Sequence, residues 1–384
     1  MYQFNWRPVF DNFDLLLKGL LLGIGIAVLA LAIGILLGLI AAFGRASGPR
    51  PIRLLVAGYV EGVRNIPLLL IIYFVYFGLP LIGISVLDNL WSFVFALAIY
   101  SGAYLTEIFR AGIEAVSKGH IEAGKAIGLN RWQRIRFVTI PLMFRIVLPS
   151  LGNTFISLFK DTSLASAIAV PELTYGAIRI NVNTWRVIEV YVVVGLLYLA
   201  TCYAIAGGLS LLYGAWPLRL IARVYVDTMR GIPQLVLIFA IFYGFPALGL
   251  QVSAIVAGII ALGVFCGAHV SEVIRGGVGS IPRGQMDAAQ GIGLNFAQRL
   301  RYVIFPQALG RILPAWVNTA VEVVKASSLV SLVSVVDLMM AIQQIVGRTR
   351  EALLFYAVAA LLYFAINYTI SAIGARLEKR YAWT

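Results

Sequence analysis

Apolar segments of about 20 residues or more alternate with shorter polar segments along the whole chain. A helix of that length crosses a hydrocarbon core of roughly 30 Å, and helices satisfy their own backbone hydrogen bonds inside lipid. The sequence lacks the alternation of apolar and polar positions that is typical of barrel strands. The pattern predicts an all-α integral membrane protein with about nine transmembrane helices. They are expected near residues 15–43, 56–80, 90–112, 141–170, 188–213, 224–248, 252–275, 306–345 and 352–375.

The composition agrees with a membrane protein, because 61% of the residues are hydrophobic and only 12% are charged. A soluble domain has roughly 45–50% apolar and about 25% charged residues. The net charge of +13 would suggest nucleic-acid binding in a soluble protein, but basic residues also accumulate on the cytoplasmic loops of membrane proteins. We therefore expect no nucleic-acid partner. Cys202 and Cys266 lie in apolar segments and indicate neither a disulfide framework nor a metal site.

The second half of the chain repeats the first. Arg64-Asn65-Ile66-Pro67 recurs as Arg230-Gly231-Ile232-Pro233, 166 residues later. A constant shift over a long stretch predicts two modules of one fold, at residues 1–213 and 214–384. Further equivalent pairs follow at a shift of 165 residues: Gly128 and Gly293, Pro141 and Pro306, Asn153 and Asn318, Lys160 and Lys325, and Ser163 and Ser328.

The two predicted modules are unequal. The first opens with the helix near 15–43, whose counterpart in the second would fall near 181–209. That stretch is already occupied by the last helix of the first module, near 188–213. The sequence thus predicts five helices in the first module and four in the second, which lacks its first helix.

Basic residues are concentrated in one set of connecting segments, as they are on cytoplasmic loops. This bias predicts an outside N-terminus and a cytoplasmic C-terminus. The first and fifth helices of a five-helix module cross the membrane in the same direction. One helix can therefore end the first module and lead into the second without inverting it, which predicts parallel repeats.

A polar segment follows the third predicted helix of each module, at 113–140 and 276–305. Each contains an acidic residue, two small residues and then a glycine, followed by a basic stretch and a proline. The pattern predicts a short surface helix whose small side chains allow another protein to approach closely. Gly128 and Gly293 would end these helices, because glycine commonly follows the last helical residue.

These segments resemble the coupling loops of ABC importer permeases, the binding-protein-dependent transport family. Lys160-Asp161-Thr162-Ser163-Leu164, Pro306-Gln307-Ala308 and the two Arg-x-Ile-Pro segments resemble its polar amino acid branch, which includes histidine and glutamate/aspartate permeases. The resemblance implies two fused modules of the type I ABC importer permease fold, in a bacterial inner membrane. It assigns ATPase coupling to Glu122, Ala123, Gly128, Asp287, Ala288, Ala289 and Gly293.

The resemblance also implies the partners. Two separate ATPase subunits would bind ATP and Mg²⁺, so the permease would bind no cofactor and would not itself be an enzyme. A periplasmic amino-acid-binding protein would deliver the substrate, and a second permease chain remains an open possibility. Gly119 to Lys125 matches part of a phosphate-binding loop, but Ala126 replaces its Ser or Thr and no buried strand precedes it.

Charged residues in the apolar segments are candidates for function, because burying charge in a bilayer is costly. Glu107 and Arg110, like Glu272 and Arg275, have the i, i+3 spacing of an anchoring ion pair. A second group on the fourth helix of each module could contact a zwitterionic substrate or pair the modules with each other, and both interpretations stay open. It consists of Lys160, Asp161, Ser163, Glu322, Lys325 and Ser328.

The alternative function is an ion-gradient-driven secondary transporter of small polar solutes. Such a transporter can also have repeats and charged residues within the membrane. It would not need two acid-small-small-Gly segments on its cytoplasmic face. His120 and His269 are isolated in the sequence and indicate neither a proton relay nor a metal site.

Overall fold

The computed structural model describes residues 2–84, 87–213 and 228–381, and all regular structure in these ranges is helical. The first module contains a short N-terminal helix, the long apolar helices and two short connecting helices. Its helices are α1 (Arg7–Asp11), α2 (Phe13–Ser47), α3 (Arg50–Arg64), α4 (Leu68–Tyr73), α5 (Asn89–Glu114), α6 (Lys118–Ala126), α7 (Arg131–Arg134), α8 (Ile140–Asp161), α9 (Leu173–Thr184) and α10 (Val187–Tyr213).

The second module repeats this order from its second helix onward. Residues 214–227, where its start was predicted, lie outside the described residues. The helices are α11 (Gln234–Ala247), α12 (Ala254–Gly279), α13 (Arg283–Gly291), α14 (Phe296–Arg299), α15 (Phe305–Ser327), α16 (Leu338–Thr349) and α17 (Ala352–Tyr381).

The predicted count of nine spans is not confirmed by the described residues. Six helices are long and apolar enough to span a membrane, and counting each of two bent helix pairs as one span gives up to eight. The predicted helix near 224–248 corresponds to α11, whose 14 residues are too few to span alone.

The helix predicted near 56–80 is broken in the structure. α3 and the helical segment Leu68–Ile82 meet at an angle of 106°. Pro67 explains the position of the break, because proline lacks an N–H donor and keeps the preceding residue out of the helical conformation. The helix predicted near 306–345 is likewise bent by 50° between Val333 and Leu338. There Ser334 has a φ of +64° and Asp337 caps the start of α16.

α2, the first long helix of the first module, packs closely along α5. Ser101 Oγ on α5 donates a hydrogen bond to Ala30 O on α2, at 3.1 Å. A Cβ atom on Gly38 of α2 would lie 2.8 Å from Leu105 Cβ, so α2 can approach this closely only with glycine there. Thr106 of α5 is completely buried, whereas its equivalent in the second module, Ser271 of α12, is exposed. Within residues 2–84, 87–213 and 228–381, no helix therefore covers α12 as α2 covers α5.

The last helix of each module packs against the other module. α10 lies along α11, and α17 lies along α4 and its continuation. Asn367 Nδ2 on α17 donates to Asn65 O at 2.9 Å, and its equivalent Cys202 on α10 lies with Sγ 3.5 Å from Gly231 O. α10, which connects the two modules, thus occupies the position of the first module's fifth helix.

Candidate translocation cavity and loop helices

The two polar segments each form a short helix that ends at a left-handed glycine. Gly128 has a φ of +82° and Gly293 a φ of +83°. After α6, Gly128 N donates to Lys125 O at 2.9 Å and Leu129 N to Gly124 O at 3.0 Å. The same two bonds recur after α13 and define a Schellman motif, which satisfies the last carbonyl groups of each helix. Other residues adopt this backbone conformation at a cost of roughly 1 kcal/mol or more.

An Asn-capped turn follows each loop helix. Asn130 and Gln133 hydrogen-bond reciprocally at 2.8 and 2.9 Å, and Asn295 and Gln298 do so at 3.0 and 2.9 Å. These capping boxes begin α7 and α14, which continue into α8 and α15. Each loop helix is thereby connected through a rigid turn to the fourth long helix of its module. The Asn-x-x-Gln spacing was available in the sequence as a signal for these caps.

Most of the predicted coupling residues lie on the outer surface of the loop helices. Glu122, Ala123 and Gly128 are exposed, as are Asp287, Ala288 and Gly293. Ala289 was expected to face the ATPase subunit, but only 4% of it is exposed. Its equivalent Gly124 packs against the side chain of Arg134, where an added Cβ would lie 3.3 Å from Cγ. The second small residue therefore serves packing within the module.

Large apolar side chains are exposed next to these helices. Ile127 is 76% exposed and Ile292 is 77% exposed, each directly before the terminal glycine. Trp132 and Phe296 are exposed just beyond it. Exposed apolar side chains grouped around a helix end are typical of a surface that contacts another protein.

A cavity of about 330 Å³ lies between the two modules. All six residues predicted for the substrate pathway line it, three from each module. They lie at the ends of α8 and α15 and in the turns that follow: Lys160, Asp161, Ser163, Glu322, Lys325 and Ser328.

The lysines of the two modules make reciprocal contacts across the module interface. Lys160 Nζ donates to the carbonyl oxygen of Arg230 at 2.7 Å. Lys325 Nζ donates to the carbonyl oxygen of Arg64, the last residue of α3, at 3.1 Å. A helix end leaves carbonyl groups without intrahelical partners and carries partial negative charge, so it suits an ammonium group. Each lysine therefore bonds to a backbone carbonyl just before the Ile-Pro segment of the other module.

Lys325 also belongs to a polar cluster with Glu322 and Tyr104. Its Nζ lies 2.6 Å from Glu322 Oε1 and 2.8 Å from Tyr104 Oη, and the lysine is only 6% exposed. Tyr104 Oη donates to Glu322 Oε1 at 3.1 Å. Glu322 and Lys325 lie three residues apart on α15 and pair with each other, and Tyr104, which sequence reasoning missed, joins them.

Asp161 has no hydrogen-bond or ion-pair partner among the described residues, although it lines the cavity. Ser163 and Ser328 are almost completely buried, and Ser328 Oγ donates to Lys325 O at 2.7 Å. That hydroxyl therefore supports the turn after α15. His269 is hydrogen-bonded to Phe265 O at 3.0 Å through Nδ1, but it also lines the cavity.

The two charge pairs predicted to act as anchors, Glu107 with Arg110 and Glu272 with Arg275, form ion pairs near the loop helices. Arg110 bonds to Glu107 at 3.0 and 3.1 Å, and Arg45 of α2 bonds to the same carboxylate. In the second module Arg275 Nε bonds to Glu272 Oε2 at 2.8 Å. These contacts agree with the anchoring role predicted from the i, i+3 spacing. The apparent phosphate-loop match, Gly119–Lys125, lies within helix α6 and does not form a loop.

The family model described as "Binding-protein-dependent transport system inner membrane component" matches the chain twice, at residues 34–212 and 204–383. The chain belongs to this family. Each match corresponds to one module, so the fusion predicted from the repeat is confirmed. The chain is thus a multi-pass membrane protein with two copies of a permease domain.

Individual relatives match about half of the chain and nearly all of their own length. The probable glutamine ABC transporter permease protein GlnM of Bacillus subtilis (strain 168) is 38% identical over 208 residues, which are 54% of this chain and 96% of the relative. The glutamine transport system permease protein GlnP of Escherichia coli (strain K12) is 37% identical and is matched over 51% of this chain and 90% of its own length.

A solved structure, "Crystal structure of an amino acid ABC transporter with histidines", contains a similar fold. Its chain is 34% identical and superimposes with a TM-score of 0.51. The match covers 55% of this chain and 98% of the other. The relative therefore corresponds to one module, whereas this chain contains two.

Proposed function

We propose that this chain is the transmembrane permease subunit of an ATP-driven ABC importer and that it carries amino acids. The observation that supports this function best is the cavity between two family modules, lined by lysines and carboxylates from both. The relatives are named as permeases for glutamine and, in another case, for glutamate and aspartate. An amino acid needs donors for its carboxylate and an acceptor for its ammonium group, and the cavity offers both.

In this proposal two separate ATPase subunits bind α6 and α13, and a periplasmic binding protein delivers the substrate to the outer face. ATP and Mg²⁺ are bound by the ATPase subunits, and the permease has no catalytic residues. The N-terminus lies outside and the C-terminus in the cytoplasm. This orientation is supported by the basic connecting segments.

The connections between helices provide a route by which closure of the ATPase subunits could be transmitted to the cavity. Each loop helix continues through a capped turn into α8 or α15, and the cavity lysines lie near the far ends of these two helices. Movement of α6 and α13 towards each other would tilt α8 and α15. The contacts from Lys160 and Lys325 to the opposite module would then rearrange, and the cavity would open to the other side.

The glycines that end the loop helices provide the test. Replacing Gly128 and Gly293 together with valine should uncouple ATP hydrolysis from uptake, because a β-branched residue opposes the positive φ and redirects the helix end. We expect amino acid uptake to fall at least tenfold while the ATPase remains active. Uptake and ATP hydrolysis are measured in proteoliposomes containing the whole complex.

Gly119→Val and Gly284→Val are the matched controls, since both glycines lie in or near the same helices with open space around them and ordinary backbone angles. Normal uptake in the Gly128→Val/Gly293→Val protein would contradict the coupling role. The secondary-transporter alternative predicts a different result: purified permease alone would carry solute without any ATPase subunit. The family match does not favour that alternative.

A further inference from the structure

The cavity has two non-equivalent halves. The two lysines occupy equivalent positions, but the acidic residues do not. Asp161 corresponds to Ala326 in the second module, and Glu322 corresponds to Ser157 in the first. Asp161, Ala326, Ser157 and Glu322 all line the cavity. Tyr104, which bonds to Glu322, corresponds in the second module to His269, which lines the cavity.

The charges that line the cavity sum to zero, because two lysines face two carboxylates. Lys325 and Glu322 form an ion pair at 2.6 Å, so this pair is already neutralised. Lys160 uses one of its three N–H donors on Arg230 O. Asp161 is the carboxylate without a hydrogen-bond or ion-pair partner among the described residues. It is therefore the acceptor that the protein leaves available for a cation.

A ligand with a net charge would bring an uncompensated charge among these partly buried groups, which is unfavourable. A zwitterion matches the remaining groups, because its ammonium needs one carboxylate and its carboxylate needs N–H donors. Lys160 lies next to Asp161 in the chain and has two donors left. A second, equivalent site cannot form, because Ala326 has no carboxylate where Asp161 has one.

We infer that the cavity is one asymmetric site that binds a single amino acid of zero net charge, with Asp161 accepting its ammonium group and Lys160 binding its carboxylate. This inference rests on the proposed transport function and adds the charge class and the stoichiometry of the substrate. The asymmetry is a property of the fused chain, since two identical modules would form two equal half-sites.

The test measures equilibrium binding to the full chain in nanodiscs, using glutamine, glutamate and lysine as probes of similar size and different charge. The unaltered chain should bind one glutamine per chain and bind it at least tenfold more tightly than the other two. Asp161→Asn should lose about tenfold in glutamine affinity and shift the preference towards glutamate, because the cavity gains one net positive charge.

Ala326→Asp is the opposite change at the equivalent position. It should shift the preference towards lysine, because it adds a negative charge and restores the missing carboxylate. These shifts in preference distinguish loss of a specific contact from misfolding, which would weaken binding of all three probes alike. Unchanged glutamine affinity in Asp161→Asn, two glutamines per unaltered chain, or no binding of any probe would overturn the inference. The proposed transport function has its own criterion, which is ATP-dependent uptake of any amino acid by the whole complex.

Discussion

At the residue scale, Lys160 and Lys325 connect the two modules. Each donates to the arginine carbonyl that precedes the Ile-Pro segment of the other module. The sequence revealed their equivalence and their place among apolar residues, and it left substrate contact and module pairing open. Their Nζ contacts support pairing between modules, and their position on the cavity wall is compatible with substrate contact as well. The acceptors could not be predicted, because they are backbone atoms brought near only by tertiary packing.

Lys325→Met should lower the thermal melting temperature of the purified permease. Methionine would leave Glu322, Tyr104 and the Arg64 carbonyl without the ammonium group, and hydrogen bonds to a charged group contribute about 1.5–3 kcal/mol. Lys18→Met is the control, because that lysine is 78% exposed and its ion pair with Asp14 contributes little. Equal melting temperatures for the two variants would show that the Lys325 contacts do not stabilise the protein.

At the element scale, the local sequence was enough to predict where several helices end. It was not enough to predict how the helices pack against each other. Gly128 and Gly293 were recognisable as helix ends because glycine readily adopts a positive φ. Pro67 could mark a break in the second helix, but the 106° angle depends on how α3 and the following segment pack. The repeat predicted that α10 joins the modules. α10 could be the fifth helix of the first module or the first helix of the second. Its packing along α11 indicates the former, because the last helix of the second module packs in the same way along α4.

The contact between α2 and α5 is testable with two glycines of the same helix. Gly38→Leu should destabilise the permease, since even a Cβ at this position would lie 2.8 Å from Leu105 Cβ and 3.1 Å from its backbone. Forcing extra atoms into a packed interior typically costs about 1–3 kcal/mol. Gly25→Leu should be tolerated, because nothing lies within 4 Å of the added carbon. Melting temperatures in detergent provide the comparison, and similar values for both variants would contradict close α2–α5 packing.

At the scale of the whole molecule, two unequal modules line the candidate translocation cavity together. The family and the duplication were predictable, because motifs recur at a nearly constant shift. In the predicted five-plus-four arrangement no counterpart of α2 covers α12, and Ile274 on α12 is exposed whereas its equivalent Phe109 on α5 is completely buried. Yet the cavity does not require that helix, since its walls come from α4, α5, α8, α11, α12 and α15 with the turns around them. We therefore expect a single chain to supply the whole translocation path.

The number of permease chains per assembled complex tests this expectation most directly. The measurement is the mass of the purified permease–ATPase complex in lipid nanodiscs, determined by native mass spectrometry. A self-contained pair of modules, each with its own loop helix, predicts one permease chain with two ATPase subunits. Two permease chains with two ATPase subunits would contradict a complete pore within one chain, because each chain would then contribute only part of the path.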